Sequence, residues 1–113
     1  MLASANRLTK EDDFDKIKSE GVLFQSENFG VRVLRRGGNE NSRFAFIVSL
    51  KIANESVQRN RVKRAMSEAI RHKLHTIKEG YDVIFLAKKQ IVKKSTEDIM
   101  KETHEFVRKY LEK

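Results

Sequence analysis

A chain of 113 residues with 39% hydrophobic and 35% charged side chains suits one compact domain spanning 1–113 with a modest core. No apolar run approaches the roughly 18 residues of a membrane span. The amino-terminal MLASANRLTKEDD also lacks the apolar stretch of a secretory signal, so a soluble, cytoplasmic protein with no membrane partner is expected. The absence of cysteine excludes disulfides, thiolate nucleophiles and cysteine-based zinc sites, while a formal net charge of +8 points to a polyanionic partner.

Along the chain, Thr9 followed by Asp12 has the form of a helix N-cap with an acid in the first turn. Phe14 and Ile17 share one face and Gly21 supplies a stop, which predicts a short first helix. Val22–Gln25, Phe29–Arg35 and Arg43–Leu50 are rich in β-branched and aromatic residues and read as three strands. Between the last two lies Arg36–Ser42, RGGNENS, whose adjacent glycines permit positive φ and predict a hairpin loop. In the third strand Phe44, Phe46, Val48 and Leu50 alternate with Arg43, Ala45, Ile47 and Ser49; both faces are largely apolar, which predicts a central place in the sheet. A helix from about Val57 to Lys78, closed by Gly80, precedes a fourth strand, Tyr81–Ala87. Ser95 with Asp98 signals another N-cap, after which Ile99, Thr103, Phe106, Val107 and Tyr110 recur at helical spacing to the end of the chain. The order α-β-β-β-α-β-α calls for an α+β sandwich with a four-stranded antiparallel or mixed sheet. There is no linker and no internal repeat.

The charge is concentrated. Gln58–Lys73, QRNRVKRAMSEAIRHK, holds six basic residues and one acid, whereas the rest of the chain has eighteen basic and fifteen acidic side chains. On a helical wheel Val62, Met66, Ala69, Ile70 and Ile77 form an apolar stripe with Leu74 at its margin. Arg61, Arg64, Glu68, Arg71 and His75 line the opposite face, with Arg59 and Lys63 flanking the stripe. Arginines one turn apart can grip successive phosphates, each guanidinium bonding two oxygens. The rival reading, a solvated face laced with salt bridges, is weakened because one acid cannot neutralise six bases. A nucleic acid is the expected partner.

The run Arg59-Asn60-Arg61-Val62-Lys63-Arg64 resembles the RNR motif of the bacterial ribonuclease P protein subunit. The resemblance extends through Asn6-Arg7-Leu8, Asp13-Phe14, Gly21 and Val48–Asn54, VSLKIAN, and so covers most of the chain. It implies the element order read above, with a left-handed β-α-β crossover where the general preference is right-handed, as in a domain of a ribosomal small-subunit protein. It further implies that a catalytic RNA, using Mg2+, cuts precursor tRNA, and that the small protein binds that RNA and holds the 5′ leader. No Ser/His/Asp set or paired carboxylates appear, so no catalytic residue is assigned. His72, His75 and His104 make no compelling zinc set, and no metal is assigned to the protein. The residues assign no oligomeric state.

By resemblance, Arg59, Asn60, Arg61, Lys63 and Arg64, with Arg71 continuing the stripe, are the candidates for contact with the RNA subunit. Asn60 can serve there or as a helix N-cap, and the two roles are compatible. The family's leader cleft lies between the first helix and the sheet, which implies Phe14, Lys18, Arg32, Ser49, Lys51 and Lys88 as leader contacts. Phe14 is either core or a stacking platform for a base. Lys18 and Arg32 stand where the family often has aromatics, exchanging stacking for charge, and a guanidinium can still stack on a base. Ser67 replaces a frequent arginine, and the loop Asn54–Val57 is one residue longer than usual.

Two rivals share parts of this pattern. Arg43–Val48 resembles the aromatic strand of an RNA-recognition-motif domain, but that fold starts with a strand and places a helix after it. A ribosomal or other structural RNA-binding protein without a role in cleavage could share the fold, and the RNR-type motif argues against it.

Overall fold

The computed structural model describes residues 2–113. Its main elements are α1 (Glu11–Glu20), β1 (Val22–Gln25), β2 (Phe29–Arg35), β3 (Arg43–Ile47), α2 (Ser56–Lys73), β4 (Tyr81–Ala87) and α3 (Thr96–Phe106). The order matches that expected from the residues. Helix α1 begins two residues after Thr9, and its N-cap is Lys10, without a side-chain cap, so the acids Glu11, Asp12 and Asp13 support its start through the helix dipole. The cap at Ser95 is present: its hydroxyl accepts from the Asp98 amide at 3.1 Å.

Two expectations about β3 are corrected. The strands run in the order β1-β2-β4-β3, so β3 is an edge strand, parallel to β4, while β4 is antiparallel to β2. Its two apolar faces have another cause: helices cover both sides of the sheet. Phe44 and Phe46 join a core with Phe29, Val31, Val83 and Phe85 under α2 and α3, whereas Ala45 and Ile47 join Leu34, Ile84 and Leu86 under Ile17 and Phe14 of α1. The outer edge of β3 is partly closed by the amino-terminal segment, where the Leu8 amide donates to Phe44 O at 2.9 Å. Such cover blunts a strand edge that could otherwise pair with another chain.

Because β4 lies between β2 and β3, RGGNENS is not a hairpin loop either; it wraps the start of β4. Arg36 N–H donates to Gly80 O at 2.7 Å and Gly80 N–H to Glu40 O at 2.8 Å. Gly80 has φ +83°, and a Cβ there would lie 2.7 Å from Gly37 O. Gly80→Ala is therefore expected to lower stability by at least ~1 kcal/mol, readable as a shifted urea midpoint. A shift too small to resolve would mean that both the loop and the backbone at position 80 relax without cost.

Strand β3 ends at Ile47, and Ser49–Ala53 turn instead of extending it. Helix α2 ends at Lys73, short of Lys78, and a 3₁₀ turn follows at Leu74–Thr76. Ile77 then pairs with Glu112 in a bridge, which takes it off the helix while keeping it buried. The α2 stripe is buried as expected, with Ala65 added to Val62, Met66, Ala69 and Ile70. Among the described residues no helix is long and apolar enough to cross a membrane.

Candidate nucleic-acid interface

Helix α2 breaks a rule that the other two helices obey. α1 and α3 carry acids in their first turns, where the helix dipole favours negative charge, but α2 has none and places Arg59 and Arg61 close behind its start. Glu55 at the N-cap is the one acid beside this start and makes no side-chain cap there, so an anion bound near the two arginines would add to what that single carboxylate supplies. The helix starts at Ser56, so Asn60 sits in its second turn and is not an N-cap.

The expected arginine rail is divided by geometry. Lys63, Arg64 and Asn60 are exposed, and their side chains make no hydrogen bond or ion pair among the described residues. Arg59 donates to Ala53 O at 2.9 Å, which holds the loop before the helix. Arg61 is half-buried and turned inward: it donates to Val92 O and Lys94 O, each at 3.0 Å, and to Gln58 Oε1 at 3.2 Å. Arg71 pairs with Glu68 at 2.7 Å, and that guanidinium lowers the Glu68 carboxyl to about 2. The freely presented part of the motif is thus Asn60, Lys63 and Arg64.

These three residues open onto a groove of about 650 Å³ between α2 and the amino-terminal segment, along the edge of β3. Phe14, Phe46 and Ile47 form part of its apolar floor, while Arg7, Thr9, Ser67 and Glu68 join its polar lining. The structure therefore brings Phe14, assigned to the leader by resemblance, into one groove with residues assigned to the RNA subunit. Phe14 is half-buried and packs against the Ile17–Ile84 cluster, so its ring combines a core contact with a partly open face. Arg7, Thr9 and Ser67 were named in the sequence but not assigned as contacts; for Arg7 and Thr9 the signal is tertiary, because the pairing of Arg7 with Phe44 carries that segment to the groove.

The remaining leader candidates lie elsewhere. Lys18 is exposed one turn after Phe14. Arg32 is half-buried on β2 opposite Ile84, on the α1 side of the sheet. Ser49 and Lys51 are exposed in the turn after β3, and the β3–β4 register sets Ser49 near the end of β4, where Lys88 follows. Lys88 Nζ donates to Ser26 O at 2.7 Å, which ties it to the β1–β2 turn. That turn is pinned further by Glu102, which accepts from the Ser26 hydroxyl and from Asn28 N and Nδ2.

Between α2 and α3, burial pushes the His104 imidazole below its ordinary pKa, and the nearby Lys73 charge acts in the same direction. Its ring centroid lies 6.2 Å from that of His72. Among the described residues no three His, Asp or Glu gather where they could hold a metal ion. The arrangement can bind and orient a polyanion; it presents no general acid–base pair.

Known proteins match this arrangement in both sequence and fold. The model of the family described as Ribonuclease P matches residues 2–111. The ribonuclease P protein component of Alkaliphilus oremlandii is 36% identical over 98 residues, covering 87% of this chain and 84% of that protein. That of Bacillus pumilus is 30% identical over 108 residues, covering 96% and 90%. The structure of the Staphylococcus aureus RNase P protein superimposes with a TM-score of 0.85 at 25% identity, covering 97% of this chain and all of that one. With sequence and fold thus shared over nearly the whole length, the chain belongs to the ribonuclease P protein family and is the protein component of that endoribonuclease.

Proposed function

We propose that this chain acts in the cytoplasm as one RNA-binding domain that grips the catalytic RNA of ribonuclease P through α2 and holds the 5′ leader of precursor tRNA beside it. Asn60, Lys63 and Arg64 meet the RNA subunit directly, Arg59 shapes the loop before the helix, and Arg71 continues the face behind them. Phe14 offers its open ring face to a leader base, with Lys18, Arg32, Ser49, Lys51 and Lys88 along the path of the backbone. The observation that carries this reading is the exposed Asn60–Lys63–Arg64 stretch, on a helix whose first turn holds no acid, opening onto an aromatic groove. Phosphate contacts supply affinity and stacking adds about 1–3 kcal/mol per base without demanding a sequence.

The cleavage chemistry, with its Mg2+, belongs to the RNA. The protein's cations lower phosphate repulsion between RNA and substrate, a task that divalent ions share, so its benefit is greatest where Mg2+ is scarce. Reconstitution with the cognate RNA tests this. Stimulation of precursor tRNA cleavage is expected to be largest at low Mg2+, with none by the protein alone. Cleavage without RNA, or no stimulation at any Mg2+ concentration, would overturn the reading.

A further inference from the structure

Two segments account for the positive charge of this protein. Gln58–Lys73 contributes +5 and Lys88–Lys94, KKQIVKK, contributes +4 with no acid; together they exceed the net charge of +8, so the remainder of the chain is slightly negative. The segments are far apart in sequence and adjacent in space. Lys89–Lys93 forms a 3₁₀ turn packed against α2, with Ile91 fully buried as its anchor. Gln90 Nε2 donates to Glu27 O at 2.6 Å at one end of the turn.

At the other end the only side chain reaching the backbone of Val92 and Lys94 among the described residues is Arg61. Its two terminal nitrogens each donate at 3.0 Å, Nη2 to Val92 O and Nη1 to Lys94 O, with Thr96 Oγ1 at 3.5 Å from Nη1. A planar fork can span two such carbonyls, whereas an ammonium on a flexible stem holds no fixed pair. The guanidinium is thereby committed to protein oxygens. The ammonium groups of Lys89, Lys93 and Lys94 make no hydrogen bond or ion pair among the described residues, and Lys89 and Lys93 are exposed. Glu97 and Asp98 follow in the first turn of α3, but neither pairs with these lysines. A groove of about 570 Å³ lies between α2 and α3, with Asn60, Arg61 and Arg64 on one wall and Thr96 and Met100 on the other. Arg61, on its α2 wall, is the residue that ties the groove to the Lys89–Lys94 turn.

We propose that Arg61 is a positioning residue: it locks the Lys89–Lys94 turn to α2, so that Lys89, Lys93 and Lys94 extend the Arg64 side of the helix into a second phosphate-binding surface for the same RNA backbone. This rests on the reading of α2 as the RNA-binding helix. The motif's middle arginine then contributes to affinity through three lysines that follow it by about thirty residues.

The test is the salt dependence of binding between the full chain and its ribonuclease P RNA, for the Lys89→Gln/Lys93→Gln/Lys94→Gln variant, Arg61→Lys, and the two combined, with thermal unfolding confirming that each is folded. The triple variant is expected to reduce the slope of log K against log salt by about 2–3 units. Arg61→Lys retains the charge yet is expected to reduce the slope by about 1 unit, and to add nothing in the triple background. A wild-type slope for the triple variant or for Arg61→Lys, or full additivity of the two, would overturn the proposal. The Lys63→Gln/Arg64→Gln variant separates the underlying reading: if it lowers the slope while the lysine triple does not, only this inference fails, and if neither does, the assignment of α2 fails with it.

Discussion

The Lys63→Gln/Arg64→Gln variant is expected to bind the ribonuclease P RNA about tenfold to a hundredfold more weakly at moderate salt, with a salt slope about 1.5–2 units shallower. Each phosphate neutralised by a Lys or Arg releases condensed counterions, so losing two contacts weakens binding most where salt is low and changes its slope at every salt concentration. Stability should be nearly unchanged, because both side chains are exposed and have no partner among the described residues. Filter binding or fluorescence anisotropy across a salt series, beside a urea titration, reads both quantities. A wild-type slope with weakened binding would place the two residues away from phosphate, and wild-type affinity would remove α2 as the grip.

The second large effect is on the fold. Asp82→Ala should destabilise the protein by about 3 kcal/mol, the lower end of what breaking a buried pair costs. Asp82 is 3% exposed at the side chain, accepts from Arg43 Nε at 2.9 Å and Nη2 at 2.7 Å, and lies 2.9 Å from Arg36 Nε. The Arg36 contact is a charge contact without hydrogen-bond alignment, so the fork from Arg43 dominates. Its hydrogen bond to Asp82 also raises the Arg43 pKa further. Removing the carboxylate leaves two guanidinium groups close together at the sheet end. The cost is held to the lower end by their remaining partners, Glu40 at 2.7 Å from Arg36 and Asp13 at 3.1 Å from Arg43, and by their partial access to water. Arg43 also reaches Asp13 of α1 at 3.1 Å, so the loss should loosen the helix that carries Phe14. Urea unfolding of Asp82→Ala and Asp82→Asn measures this; a cost below ~1 kcal/mol for the alanine variant would show that the two arginines are hydrated without it.

Element order, the buried face of α2 and the cap at Ser95 were legible because each is local: periodicity over one or two turns, or a hydroxyl three residues from an amide, is written in adjacent residues. The alternation in β3 was read correctly as two apolar faces and wrongly as a central position. A strand becomes apolar on both faces whenever both are covered, and here α1 covers the second face of an edge strand. The hairpin expectation failed for a related reason: glycines at 37 and 38 specify a turn but not which strand lies beside it, and β4 took the place between β2 and β3.

For the candidate site, the sequence by itself determined the charge, the helix that concentrates it, the family pattern around Arg59–Arg64, and hence an RNA partner. Only the tertiary structure decided how those charges are used. A wheel treats Arg61 and Arg64 as equivalent positions on one face, yet Arg61 meets carbonyls more than thirty residues later while Arg64 meets solvent. Whether an arginine binds a ligand or its own backbone depends on which unsatisfied oxygens the fold delivers within about 3 Å, a distance set by packing between remote segments. The same packing sets Phe14 in the groove with Lys63 and seats the Lys89–Lys94 turn against α2.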